Sequence, residues 1–117
     1  MNEAQTIDLT PAQLDEVKRL LAQYLPATQV WLYGSRVRGN ARTTSDLDMV
    51  VFAEPEQQAQ VSQLREAFDQ SNLPFPVDLF VWSSVPEKFK QNIQQHYVEI
   101  QAGAPNRKNQ EGLGYGE

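Results

Sequence analysis

Apolar positions along this chain change their period several times, and each change marks an element. Near Thr10 the signals for a helix start coincide: Thr10 suits the N-cap, Pro11 the first helical position and Gln13 the return arm of a capping box. Leu14, Val17, Leu21, Tyr24 and Leu25 then recur at helical spacing until Pro26 ends the run. Residues 28–33, reading TQVWLY, are β-branched and aromatic and predict a buried strand that stops at Gly34. Ser35 to Val37 form the first turn of a short helix, broken by Gly39-Asn40. Residues 45–52 predict a second strand, with Leu47, Met49 and Val51 facing one way and Asp46, Asp48, Val50 and Phe52 the other.

Pro55 opens a second long helix with Val61, Leu64, Ala67 and Phe68 as its apolar stripe, closing before Asn72-Leu73-Pro74. Residues 76–82 (PVDLFVW) predict a third strand, interrupted by the carboxylate of Asp78, which needs a partner or a function. Ser84-Val85-Pro86-Glu87 has capping-box spacing and predicts a last helix whose apolar face, Phe89 and Ile93, is expected to pack in the core rather than serve as a docking surface; residues 97–101 (YVEIQ) add a short strand. This order describes an α/β sandwich with a small mixed sheet. The folded domain is expected over residues 9–101. Residues 1–8 read as a flexible N-terminus, and residues 103–117, rich in Gly, Asn, Lys and Glu, as a flexible or interaction tail.

A chain of 117 residues that is 40% apolar suits one domain with its own core. The absence of cysteine excludes disulfides, thiolate metal sites and cysteine nucleophiles, and fits a reducing compartment. No basic segment precedes an apolar core at the N-terminus, and no apolar run approaches the roughly 20 residues that span a bilayer. A cytoplasmic protein without membrane contact is expected. A net charge of −5 argues against direct nucleic-acid binding. Within that acidic chain, Arg36, Arg38 and Arg42 make a local cationic loop that favours a polyphosphate.

The candidate chemistry lies between the first two strands. Asp46 and Asp48, two apart, project from one face and can share divalent cations. Asp78, from a neighbouring strand, is the natural third ligand and could accept the proton of an attacking hydroxyl. A Gly34-Ser35 turn opening a helix offers backbone N–H groups and a hydroxyl to a phosphate, with Gly34 letting the chain approach closely. Together these suggest two-metal phosphoryl or nucleotidyl transfer, with magnesium as the hard cation. Each feature has a structural competitor: a turn device for the Asp pair, a charge against edge-strand aggregation for Asp78, an ordinary turn for Gly34-Ser35. One geometry accounts for all three, which favours the metal reading.

Arg36 and Arg38 need not point together; one is expected to reach the triphosphate and the other to lie on the surface. Ser45 is expected to orient a carboxylate. His96 reads as a surface residue or a helix C-terminal partner. The aromatics Trp31, Tyr33, Phe52, Phe80 and Trp82 read as core, with Phe80 or Trp82 as the exceptions able to stack on a base.

The run Gly34-Ser35, ten residues, Asp46-Leu47-Asp48 and later Asp78 resembles the DNA polymerase beta nucleotidyltransferase superfamily. Within it, GSRVRGNARTTSDLD is similar to the minimal nucleotidyltransferases encoded beside HEPN-domain partners, and the likeness runs from Leu9 to Gln101. The resemblance implies a polymerase-beta-like palm fold and transfer of a nucleoside monophosphate, AMP from ATP being the natural choice. It implies two magnesium ions on Asp46, Asp48 and Asp78, and a triphosphate at Gly34 and Ser35, with Arg36, Arg38 and Ser45 beside it. The implied partner is a HEPN-type toxin from a neighbouring gene, adenylylated by this chain as its antitoxin. Two alternatives stay open: steric cover of the HEPN protein without catalysis, and transfer to a small-molecule hydroxyl. The latter is weakened by the lack of an added acceptor-binding domain. Homo- or hetero-oligomers are compatible with all three.

Overall fold

A computed structural model of the protein describes residues 7–103. Helix α1 (Pro11–Tyr24) starts as its sequence dictates: Thr10 Oγ1 accepts from Gln13 N–H at 3.1 Å, and Gln13 Oε1 accepts from Thr10 N–H at 2.9 Å. Strand β1 (Val30–Tyr33) leads into a single turn, α2 (Ser35–Arg38), and a loop returns the chain as β2 (Leu47–Val51). A 3₁₀ turn at Pro55–Gln57 precedes α3 (Gln58–Asp69), followed by β3 (Val77–Val81), α4 (Glu87–Gln95) and β4 (Tyr97–Gln101). The sheet has the order β3-β2-β1-β4; β2 and β3 run parallel, while β1 is antiparallel to β2 and β4. The expected α/β sandwich with a small mixed sheet is therefore present.

The two faces of the sheet differ. On one, Val30, Leu32, Leu47, Met49, Val51, Leu79 and Val98 pack with Val17, Leu20 and Leu21 of α1 and Val61, Leu64 and Phe68 of α3. The other carries a smaller cluster in which Val50, Val85 and Ile93 are buried and Trp31, Tyr33, Phe52 and Trp82 are partly covered. Its aromatics interlock: Trp31 stacks on Tyr97 at 3.8 Å, and its ring lies edge-on to Phe52 at 4.7 Å and to Trp82 at 5.4 Å. The expected aromatic core is thus a second, open-sided layer. Phe80, on the same face, stays 47% exposed.

Three expectations need correction. The capping box at Ser84 does not form; Trp82–Ser84 wind a 3₁₀ turn and Pro86 is the cap of α4, without a side-chain bond. Val85 precedes a proline and is held extended at ψ 131, which carries Ser84 away from the cap position. Phe89 is not core but 60% exposed, whereas Ile93 is buried as expected. The loose N-terminal end stops short of residues 7 and 8: Ile7 packs against the core, and Asp8 N–H donates to Arg36 O at 2.7 Å. The tail expectation for residues 104–117, and that for residues 1–6, fall outside the described residues.

Arg36 is the polar keystone of this fold. Only 4% exposed, its guanidinium donates to the carbonyls of Asp8 (2.8 Å), Thr43 (2.9 Å), Ser45 (3.0 Å) and Arg42 (3.3 Å). Its Cζ also lies 4.0 Å over the Phe75 ring. It therefore fastens the loop between α2 and β2 to the segment before α1. Arg36→Ala should strand these carbonyls and cost about 2–4 kcal/mol, read as a lowered urea midpoint. Arg36→Lys should rescue little of it, because an ammonium cannot span the fork.

Candidate active site

The chain turns at the end of β1 through Gly34, whose φ of +85° and ψ of −160° are accessible only to glycine. Space demands glycine as well, because a Cβ at this position would collide with the carboxylate of Asp48. The turn closes with Val37 N–H and Arg38 N–H on Gly34 O, both at 3.1 Å, and Gly39 at φ +87° ends it. The first N–H groups of such a turn have no intrahelical acceptor and are left for other partners.

Strand pairing brings the acidic residues to this turn. Asp48 pairs with Tyr33 across the antiparallel ladder and with Asp78 across the parallel one. These three side chains form a row on the open face, opposite the main core. Asp46 stands just before β2, exposed, and close enough to Asp78 to act on its carboxyl. Burial and the charges of Asp78 and Asp46 push the Asp48 carboxyl up to about 6, with Arg38 pulling weakly the other way. Asp78 is raised as well, by burial first and then by its bond and charge contact with Asp46. The Tyr33 phenol is pushed up to about 12 by burial and by Asp48 and Asp78. This spot concentrates negative charge and favours a proton or a cation. Among the described residues, no group of three His, Cys, Asp or Glu side chains converges in a geometry that encloses an ion.

The remaining sequence candidates divide. Arg38 lines a cavity of about 220 Å³ with Tyr33, Gly34 and Asp48, beside the carboxylates. Arg36 does not join it: its fork is consumed by loop carbonyls, which corrects its expected place at the triphosphate. Ser45 does not orient a carboxylate either. Its hydroxyl accepts from Arg42 N–H at 2.8 Å and shapes the loop. Phe89, Asn92, Ile93 and His96 complete the cavity from α4, and sequence reasoning did not assign them there. Their spacing of three, four and seven residues marks one helical face, but only the docking of α4 reveals what that face meets. His96 Nε2 lies 2.7 Å from Val37 O and ties the end of α4 to α2. A larger hollow of about 430 Å³, around Thr10, Arg36 and Pro74, is lined by none of the three acids.

Because the Asp48 carboxyl is raised above its usual 3.8, its ionised form is disfavoured in the folded state. The penalty is absent below pH 3.8, grows through about 6 and is full above it, so metal-free stability falls as pH rises across that window. With screening at a half-buried group, Asp48→Asn should gain about 1–2 kcal/mol at pH 7.5 in EDTA and nothing at pH 3.5. Thermal unfolding at the two pH values reads the difference. Gly34→Ala, which has no allowed conformation free of the Asp48 clash, should instead lose stability at both.

Comparison with known proteins agrees with this geometry. The family described as "Polymerase beta, Nucleotidyltransferase" matches residues 15–102. A probable protein adenylyltransferase MntA from Haemophilus influenzae is 39% identical over 102 residues, which cover 86% of this chain and 90% of that protein. The crystal structure of a toxin–antitoxin with AMP-PNP has the same fold, with a TM-score of 0.55 at 19% identity over 81% of this chain and 76% of that one. A mutant of the MntA–HpeT toxin–antitoxin superposes similarly, with a TM-score of 0.54 at 19% identity over 80% of this chain and 74% of the other. The palm-like mixed sheet, the glycine turn and the family match over most of the chain lead to one assignment: this protein belongs to the polymerase beta nucleotidyltransferase family, as one of its minimal members.

Proposed function

We propose that this nucleotidyltransferase transfers AMP from ATP to a hydroxyl on a protein partner, a HEPN-type toxin, and acts as its antitoxin. The observation that carries the reading is the pairing of Asp48 with Asp78 beside a glycine turn that only glycine can occupy. The Haemophilus relative, named as a probable protein adenylyltransferase, and the toxin–antitoxin neighbours support the protein acceptor and the partner. Among the described residues no helix is long and apolar enough to cross a membrane.

The donor set fits magnesium: Asp46, Asp48 and Asp78 supply hard oxygen ligands, and their mutual repulsion is relieved by a cation. When bound, two such ions supply the positive charge that offsets the triphosphate and the leaving pyrophosphate. Gly34 and Ser35 hold the triphosphate through backbone N–H groups and the Ser35 hydroxyl, and Arg38 adds its charge at the rim. The acceptor oxygen attacks the α-phosphorus, its bond to phosphorus forms as the bond to the β-phosphate oxygen breaks, and pyrophosphate leaves. Asp78 takes the proton of the attacking hydroxyl.

Co-purified with its neighbouring HEPN protein and given magnesium and α-labelled ATP, the protein should add an AMP unit to the partner, seen as intact mass. Asp46→Asn and Asp48→Asn should each lower the rate by at least about 100-fold, since each removes charge stabilisation made in the transition state. A stable complex that neutralises the toxin with no mass gain, and still does so in the double variant, would replace catalysis by steric cover.

A further inference from the structure

We infer that the α4 face formed by Phe89, Asn92 and His96 is the nucleoside-recognition wall of the site, selecting adenine over guanine. The inference rests on the nucleotide-transfer reading above and deepens it. These residues lie three to seven positions apart on one side of α4, with Ile93 between them as the buried anchor. The cavity of about 220 Å³ they line opens directly onto Gly34, Arg38 and Asp48, so a triphosphate held there directs its nucleoside at α4.

Each position has the chemistry for a distinct task. Phe89 keeps 60% of its surface exposed at the cavity rim, a flat apolar face suited to stack on a base. Exposed Asn92 carries one amide donor and one acceptor, the pattern that pairs with N7 and N6 of adenine and mismatches guanine O6. His96 is a positioning residue. Its contact with Val37 O at 2.7 Å fixes the distance between α4 and the phosphate turn. Lys90, the residue after Phe89, places its Nζ 5.3 Å over Trp82 and so adds a second tie between α4 and the sheet. Phe89 and Asn92 stay exposed and free to meet a ligand.

Calorimetric titration of the whole chain in magnesium with non-hydrolysable ATP and GTP analogues, and with inorganic tripolyphosphate, tests this. Wild type should hold the ATP analogue more tightly than tripolyphosphate and than the GTP analogue. Phe89→Ala should weaken both nucleotides about tenfold and leave tripolyphosphate unchanged. Phe89→Leu, which keeps apolar bulk without the ring, should weaken them nearly as much. Asn92→Ala should bring the ATP-to-GTP ratio close to one. Wild-type affinity and selectivity in these variants overturns the inference, as does a wild type that holds ATP and tripolyphosphate equally. The latter result leaves the phosphate site standing, whereas a wild type that binds none of the three overturns the nucleotide reading as well.

Discussion

The register of β2 against its neighbours is the constraint on which this molecule depends. Leu47, Met49 and Val51 are buried on one face, so a slip of one residue would turn them out and bring Asp48 into the core. The apolar alternation thereby fixes Asp48 between Tyr33 and Asp78 on the other face. The ladder holds Asp48 and Asp78 side by side, and burial together with the neighbouring carboxylates raises both of their carboxyls. The core thereby holds like charges together on the open face of the sheet.

Register alone would not hold Asp46, which precedes the strand. That task falls to the loop, and the loop depends on Arg36. The guanidinium draws in carbonyls at Arg42, Thr43 and Ser45, while Ser45 closes its own turn on Arg42. A buried cation matched by carbonyl dipoles and an aromatic face, rather than by a carboxylate, leaves the nearby acids unpaired and available. One arginine of this stretch is structural and another, Arg38, lines the cavity beside Asp48, so charge near the glycine turn is divided by burial rather than by sequence position.

Much of this was legible in the sequence where local rules decide the outcome. The capping box at Thr10, the period-two pattern of β2 and the spacing from Gly34 to Asp48 each follow from short-range stereochemistry, and each is found. What escaped depends on tertiary packing. Nothing local separates Arg36 from Arg38, because burial of one depends on Phe75 and Asp8, distant in the chain. Ser84 matched a cap pattern, but Pro86 imposed an extended residue before it. Phe89 and Ile93 looked like one apolar pair, and only the tilt of α4 on the sheet buries one and presents the other.

The two faces of the sheet are covered unequally, and that inequality sets where the carboxylates meet solvent. Two helices shield the face that carries the main core, whereas α4 and an aromatic layer cover only part of the other. The row of Tyr33, Asp48 and Asp78 lies where that cover ends, with Phe80 exposed two residues beyond Asp78 on the same strand. A fully covered second face would give a more stable domain but would bury the carboxylates away from any partner. Leaving the face half-open costs apolar burial, which the interlocked Trp31, Phe52, Trp82 and Tyr97 rings partly offset.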